Sequence, residues 1–325
     1  MGFPVDRPRR LRRNAALRRL VAETRLHPAE LVLPLFVKEG LTEPTPVGSM
    51  PGVWQHSHES LRKAAHEAVS AGVGGLMVFG IPTHKDSTGS SADADEGVVQ
   101  RALRQLREDL GEDAVLMADL CLCEYTDHGH CGPLGPGGDV DNDSAIARYA
   151  SVAVAQAQAG ADVVAPSGMM DGQVGAIRAA LDDSGFNDRV ILAYAAKYAS
   201  AFYGPFRDAA ESTPSHGDRR SYQMDPANAA EALREVQADL DQGADWVMVK
   251  PAGPYLDVIR DVANSVDVPV AAYQVSGEMA MVEAAAANGW IDRDRAIAES
   301  LISIKRAGAQ QILTYWATEV ALSLR

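Results

Sequence analysis

Short apolar runs alternate with segments that have the 3.6-residue period of amphipathic helices, from residue 31 to the end of the chain. Eight such units predict an α/β fold, a (β/α)8 TIM barrel. An open doubly wound sheet is less favoured, because no G-x-G-x-x-G loop follows a strand. The predicted strands are 31–37, 75–79, 114–122, 162–166, 190–197, 245–250, 268–275 and 311–316, and the predicted helices are about 59–71, 95–110, 143–159, 171–183, 226–242, 254–264, 278–288 and 293–307.

Glycine marks several of the predicted helix ends. Ala-Gly or Gln-Gly stands between a helical segment and the next strand at residues 71–72, 159–160, 242–243 and 307–308. Glycine commonly ends a helix there because it adopts the left-handed conformation without strain. At the other end of a helix, Asp225 and Pro226 are predicted to be the N-cap and first residue of the segment 226–242.

Charge and composition narrow the possible partners. The 325-residue chain has a net charge of −14, which disfavours nucleic acid or an anionic membrane as its main partner. We find no apolar run of the roughly 18 residues needed to span a bilayer and no apolar core of a signal peptide near residue 1. With unpaired cysteines expected, these features predict a cytoplasmic protein.

The first 28 residues differ from the rest of the chain. Residues 1–25 contain eight arginines and two acidic residues, against the acidic balance of the whole. We expect residues 1–28 to form an extended arm that packs on an acidic neighbouring subunit, and residues 29–325 to form one barrel. A solvated basic tail is one alternative, and a nucleic-acid-binding arm, which the overall charge opposes, is another.

All three cysteines fall within eleven residues. Cys121, Cys123 and Cys131 follow or end the predicted strand 114–122, and His128 and His130 lie among them. This density of thiols and imidazoles suits zinc. A catalytic zinc on three thiolates and a structural zinc closed by one histidine are equally consistent with the spacing. A disulfide with one spare thiol is a third possibility, opposed by the odd cysteine count.

Two lysines occupy unusual positions. Of six lysines, Lys197 and Lys250 each end an apolar run, on the fifth and sixth predicted strands. Parallel neighbours lie about 4.8 Å apart, so the two amines would share one pocket at the carboxyl end of the barrel. Burial and mutual repulsion lower a lysine pKa, and a neutral amine attacks a ketone to give a Schiff base. Ordinary salt bridges for both lysines remain the alternative.

A long segment, about 203–223, joins the fifth strand to the next helix and is predicted to be an active-site lid. It contains Arg207, Arg219 and Arg220, which can bind a carboxylate in bidentate fashion, although arginines on a surface loop are an equally ordinary explanation. Together these features indicate a substrate with a ketone and a carboxylate.

Several motifs resemble one family over nearly the whole chain. They are Leu33-Pro-Leu-Phe-Val-Lys-Glu-Gly, Cys121-Leu-Cys-Glu-Tyr-Thr-Asp-His-Gly-His-Cys-Gly, Tyr194-Ala-Ala-Lys-Tyr-Ala-Ser-Ala-Phe-Tyr-Gly-Pro-Phe-Arg, Gly217-Asp-Arg-Arg-Ser-Tyr-Gln-Met, Val247-Met-Val-Lys-Pro and Tyr273-Gln-Val-Ser-Gly-Glu. The chain thereby resembles the porphobilinogen synthases, also called 5-aminolevulinate dehydratases. The resemblance implies a TIM barrel with an N-terminal arm in a homo-octamer, which condenses two 5-aminolevulinates into porphobilinogen, with loss of two waters, in tetrapyrrole (heme) biosynthesis.

The resemblance also implies a role for each matching residue. Lys250 and Lys197 would form Schiff bases with the substrates that supply the propionate and acetate sides. The cysteines match the zinc-dependent branch of the family and so imply a catalytic zinc. The remaining roles are carboxylate binding by Arg207 and Arg219 on one substrate and by Ser276 and Tyr315 on the other, pocket support by Asp119, Ser167 and Gln223, and allosteric magnesium binding by Glu235.

Three positions depart from the family pattern. Gly168 stands where the family usually has aspartate, Met279 where tyrosine is common, and Gln55 where arginine is common. With glycine at position 168, the side chain expected to support the zinc loop or Lys197 is absent. With glutamine at position 55, an expected contact between subunits is weakened. Two other functions fit part of the pattern: a class I aldolase with a structural zinc, and a non-enzymatic zinc or thiol sensor.

Overall fold

A computed structural model describes residues 6–325, and within that range eight parallel strands close into a barrel. Closure is made by the first and last strands, whose residues Leu31 and Val32 pair with Ile312 and Leu313. A short hairpin, strands two and three, adds to the carboxyl end of the first strand. The strands are β1 Leu31–Lys38, β2 Thr45–Pro46, β3 Trp54–His56, β4 Gly75–Ile81, β5 Val115–Leu120, β6 Val163–Pro166, β7 Val190–Lys197, β8 Trp246–Lys250, β9 Val270–Tyr273 and β10 Gln311–Leu313.

Helices surround the barrel in the described range and confirm the predicted (β/α)8 order. Each predicted segment corresponds to one of them, with ends that differ by at most four residues. Shorter helices also occur in the arm, in the lid and after the last strand. The helices are α1 Ala15–Leu20, α2 His58–Ala71, α3 Val98–Leu110, α4 Asn142–Gln158, α5 Gln173–Asp183, α6 Gly204–Ala210, α7 Ala230–Asp241, α8 Leu256–Ser265, α9 Ser276–Ala287, α10 Arg293–Ala307 and α11 Ala317–Ser323.

Helix α2 illustrates how the outer ring is built. The hydroxyl of its N-cap Ser57 accepts a hydrogen bond from the backbone N–H of Ser60, and the helix ends at Gly72, whose φ of 96° is left-handed. Leu61 and Ala65 lie fully buried on its inner face. Burying the leucine side chain contributes roughly 1.5–3 kcal/mol, so the apolar face fixes the helix against the barrel.

Several predicted ends differ from the observed ones, and two of these differences change the interpretation. Helix α7 begins at Ala230 rather than at Pro226, because Asp225 Oδ1 accepts from the N–H of Ala227 and the chain turns there instead. Strand β5 ends at Leu120, so the first two cysteines lie in the loop beyond it and not on a face of the strand. The positions of these two cysteines are therefore set by the loop and not by the alternation of side chains along the strand.

The predicted arm is only partly within the described residues, since residues 1–5 lie outside them. The remainder contains α1, which is capped by the side chain of Asn14 and leaves Leu20 76% exposed. Its packing on another subunit remains a prediction. Among the described residues, no helix combines the length and the apolar character that crossing a bilayer requires.

Candidate active site

Lys197 and Lys250 end β7 and β8 as directly paired residues at the carboxyl end of the barrel. Each residue is only 5% exposed. The Nζ of Lys197 donates a hydrogen bond to the backbone carbonyl of Ser167, which follows β6. The pairing of β7 with β8 therefore brings the two lysines together at one end of the barrel.

Aromatic rings surround the Lys250 amine. Its Nζ lies 4.0 Å from the ring centre of Tyr273 and 5.0 Å from that of Tyr194. The rings of Tyr203 and Phe206, from the start of the lid, lie at 5.5 and 5.1 Å. Such rings stabilise a cation through their faces but exclude water from it.

Burial lowers the pKa of Lys250 to about 7, and the charge of Lys197 acts in the same direction. Asp119 opposes this shift, and its own pKa is raised to about 7 by burial and by Glu124. A lysine with a pKa near 7 holds a large fraction of neutral, nucleophilic amine at neutral pH. The site thus contains an activated amine with a carboxyl group able to exchange protons near the same pH.

The three cysteines meet beside the lysines. They are free thiols, and their sulfur atoms all lie within 4.8 Å of one another. Cys121 Sγ donates to Cys123 Sγ at 3.4 Å, far beyond a disulfide bond of about 2.05 Å. Thiolates about 2.3 Å from a tetrahedral zinc would be about 3.8 Å apart, so this donor set fits zinc with little movement.

The neighbouring histidines do not join this cluster. His128 Nδ1 accepts from the N–H of His130 at 3.2 Å, and its Nε2 lies 3.3 Å from the carbonyl of Ser87. The ring of His130 contacts the lid instead, at the Tyr222 hydroxyl and the His216 carbonyl. These contacts do not support a structural zinc closed by histidine.

The segment 203–223 closes over the cysteine loop. The N–H of Ser215 donates to the His128 carbonyl, and Arg219 donates to the carbonyls of Gly129 and Ser212 at 2.9 and 2.7 Å. Arg207 lies beside Arg219, and burial followed by the charge of Arg219 lowers its pKa. Both cations lie close enough to Cys123 and Cys131 to interact with the charge of their thiolates.

The other residues predicted to bind carboxylates differ in where they lie. Arg220 is exposed and pairs with Asp218, so the structure does not bring it into the site. Ser276 is buried, where its hydroxyl accepts from the N–H of Phe206 in the lid at 2.9 Å. The hydroxyl of Tyr315 lies 3.1 Å from that of Tyr273.

Several residues of this site have a buried polar atom without a hydrogen-bond partner among the described residues. Unpaired buried polar atoms are rare in folded proteins, and here they would suit a polar ligand. They are Oδ1 of Asp119, the hydroxyl of Tyr194, Nε of Arg207, Nε of Arg219 and Nε2 of Gln223.

Glu235 lies on α7 in the outer ring, away from the lysines. Burial raises its pKa, and Asp171 and Glu231 add to the shift. The pKa of Asp239, one turn further, is raised to about 7 by burial and by Glu235. The carboxylates near Glu235 do not form a compact metal-binding group. Within residues 6–325, only the three thiols lie close enough together to hold a metal.

Sequence reasoning missed several residues of the site. Glu124 is buried and accepts from Cys123 Sγ at 3.2 Å. Glu278 accepts from the N–H groups of Val275 and Gly253, both at 2.7 Å, and so joins the loop after Lys250 to the start of α9. Glu124 is adjacent to a cysteine and Tyr273 ends a strand, but nothing local distinguishes Glu278 or Tyr194.

Two departures from the family pattern have a local explanation. Gln55 Nε2 donates to the Ala209 carbonyl at 2.8 Å and to Glu211 at 3.1 Å, both within this chain. Met279 is buried as part of the hydrophobic core. Neither replacement leaves an unpaired charge.

Comparison with known proteins agrees with this geometry. The family model for delta-aminolevulinic acid dehydratase matches residues 5–323. The delta-aminolevulinic acid dehydratase of Streptomyces coelicolor is 62% identical over 326 residues, covering 100% of this chain and 98% of that protein. The enzyme of the same name from Mycobacterium tuberculosis is 62% identical over 322 residues, covering 98% of each.

A solved structure matches the fold closely. The crystal structure of delta-aminolevulinic acid dehydratase (porphobilinogen synthase) from Toxoplasma gondii, in complex with the reaction product porphobilinogen, has a TM-score of 0.95 and 44% sequence identity. The match covers 98% of this chain and 91% of that one. On the family model, the relatives and this structure, the chain belongs to the delta-aminolevulinic acid dehydratase family.

Proposed function

We propose that this chain is a hydro-lyase that condenses two molecules of 5-aminolevulinate into porphobilinogen with loss of two waters, a step of tetrapyrrole (heme) biosynthesis. The observation that carries the proposal is the pair Lys197 and Lys250, buried together beside three thiols under an arginine-bearing lid. A class I aldolase needs only one imine lysine, and a thiol sensor needs none. Neither alternative accounts for the pair, and the relatives favour neither.

Lys250 acts as the nucleophile for the propionate-side substrate. Its neutral amine adds to the ketone, and the carbinolamine loses water, so that a C=N bond replaces the C=O bond. The rings of Tyr273 and Tyr194 enclose the nitrogen, exclude water and stabilise the cation when the imine is protonated. Asp119, with a pKa of about 7, accepts and returns protons during the dehydration.

Lys197 forms the second imine, with the acetate-side substrate, next to the thiols. Arg207 and Arg219 bind the carboxylate of that substrate, and the Nε–H of each is unpaired and close to the cysteines. Gln223 supports the substrate from the same pocket, where its Nε2 is also unpaired.

Ser276 and Tyr315 bind the carboxylate of the propionate-side substrate. Ser167 supports the Lys197 amine through its carbonyl. Cys121, Cys123 and Cys131 would hold a zinc ion, which would supply Lewis-acid polarisation of the acetate-side substrate.

The proposal also includes a regulatory metal site and a homo-oligomeric assembly. Glu235 binds an allosteric magnesium ion, for which carboxylate oxygen is the appropriate ligand. Residues 1–28 form an arm that packs on a neighbouring subunit of a homo-octamer, while residues 29–325 form the catalytic barrel. The protein acts in the cytoplasm on a small, soluble substrate, without nucleic acid or membrane.

The proposal is tested by assaying porphobilinogen formation from 5-aminolevulinate in the zinc-loaded protein. Lys250→Arg keeps a cation but removes the imine-forming amine, so turnover should fall by more than about 1000-fold, or about 4 kcal/mol of barrier. The matched control is Lys63→Arg, at a lysine with a 70% exposed side chain, which should keep full activity. Absence of pyrrole product from the unmodified protein, or substantial activity in Lys250→Arg, would contradict the proposal.

A further inference from the structure

Gly168 follows β6 directly after Ser167, and the space beside it is filled. A Cβ atom built on Gly168 would lie 1.7 Å from the hydroxyl oxygen of Tyr149 and 2.6 Å from the ring carbon that bears it. The φ angle of Gly168 is not in the left-handed region. Glycine is therefore required here for room and not for backbone conformation.

Tyr149 cannot simply move away. It lies on α4, and its side chain is completely buried in the core. Its hydroxyl donates a hydrogen bond to the backbone carbonyl of Cys131 at 2.6 Å. Among the described residues this hydroxyl is the donor to that carbonyl, so losing it would leave a buried acceptor unpaired, which destabilises the loop.

Helix α4 holds the end of the cysteine loop in a second way. A Cβ on Gly132, the residue after Cys131, would lie 2.6 Å from the Cβ of Ala145 on α4. The loop is thus packed against the helix immediately beside the carbonyl that Tyr149 holds. Tyr149 also contacts the segment whose Ser167 carbonyl accepts from Lys197, so one side chain lies between two parts of the site.

We propose that Tyr149 is a positioning residue for Cys131, and that residue 168 must be glycine because the tyrosine ring occupies the volume that a side chain would need. The phenol holds the backbone carbonyl of Cys131, whose thiolate would be one of the three zinc ligands. This inference rests on the zinc site of the proposed function, but it concerns how that site is built. Groups that orient metal ligands commonly change metal affinity by about 10–100-fold when they are removed.

The test measures zinc affinity of the full chain by competition with a chromophoric chelator. Tyr149→Phe removes only the hydroxyl and should weaken zinc binding by about 10-fold. The matched control is Tyr198→Phe, which removes a buried hydroxyl that donates to the Asn228 carbonyl at 2.9 Å, away from the thiols. That control should bind zinc as tightly as the unmodified protein. The cobalt-substituted Tyr149→Phe protein should also show a shifted thiolate-to-cobalt absorption band.

A second variant tests the space argument. Gly168→Ala should weaken zinc binding and lower the melting temperature, whereas adding the same change to Tyr149→Leu should cost little more, because the clashing atoms are gone. Equal zinc affinity and cobalt spectra for Tyr149→Phe and Tyr198→Phe, or a harmless Gly168→Ala, would overturn the inference. Failure of the unmodified protein to bind zinc would instead overturn the proposed metal site, and the inference with it.

Discussion

The pKa of Lys250 should depend measurably on the charge of Lys197. The two residues are paired across adjacent strands, which places their backbones about 4.8 Å apart. Two unit charges about 6 Å apart repel by roughly 2.8 kcal/mol at an effective dielectric constant of 20, or about two pKa units. Burial is the larger cause of the shift from 10.5 to about 7, and Asp119 opposes it. We therefore expect Lys197→Met to raise the pKa of Lys250 by about 1–2 units.

The assay is reductive trapping of the Lys250 imine with 5-aminolevulinate at a series of pH values, with the modified peptide quantified by mass spectrometry. Because only the neutral amine adds to the ketone, trapping should increase with pH through the pKa of Lys250. The midpoint should lie near pH 7 in the unmodified protein and about 1–2 units higher in Lys197→Met. Lys197→Arg keeps the charge and should leave the midpoint near 7. An unchanged midpoint in Lys197→Met, or an equal shift in Lys197→Arg, would refute the reasoning.

Two predictions concern the metals. Cys123→Ala should lose stoichiometric zinc and nearly all activity, because only two of the three thiolates remain. Circular dichroism should show that the barrel is still folded. Zinc retained at full stoichiometry would show that the thiols are not the ligands. Glu235→Ala should abolish stimulation by magnesium but keep basal zinc-dependent activity, because this carboxylate lies outside the pocket, and the measurement is initial rate against magnesium concentration. Undiminished stimulation in that variant would exclude Glu235 as the magnesium ligand.

The sequence alone determined the architecture and the main chemical groups. Continuous apolar runs and helical periods report burial directly, so eight strands and their helices were predictable close to their observed ends. Lys197 and Lys250 were found because lysine at the end of a buried strand is rare, and the barrel topology then requires neighbouring strand ends to meet. The cysteines were found because their chemistry and density are unusual.

The tertiary structure decided what depends on contacts between distant segments. That Tyr194 and Tyr273 enclose the Lys250 amine, and that Glu278 ties its loop to α9, follows from packing of elements far apart in sequence. The role of the histidines is of the same kind, because His130 faces the lid and not the thiols. The hydrophobic pattern of a segment indicates which face of a helix or strand is buried, but it does not indicate which side chains of other segments contact that face.

Gly168 shows the difference most clearly. In the sequence, Gly168 stands where the resembled family usually has aspartate, and the structural effect of that difference could not be predicted. In the folded protein the place is occupied by the ring of Tyr149, nineteen residues earlier, on a different element. Interior volume is shared among all the elements around it and close packing leaves little free, so only the assembled fold decides which residue fills a given space.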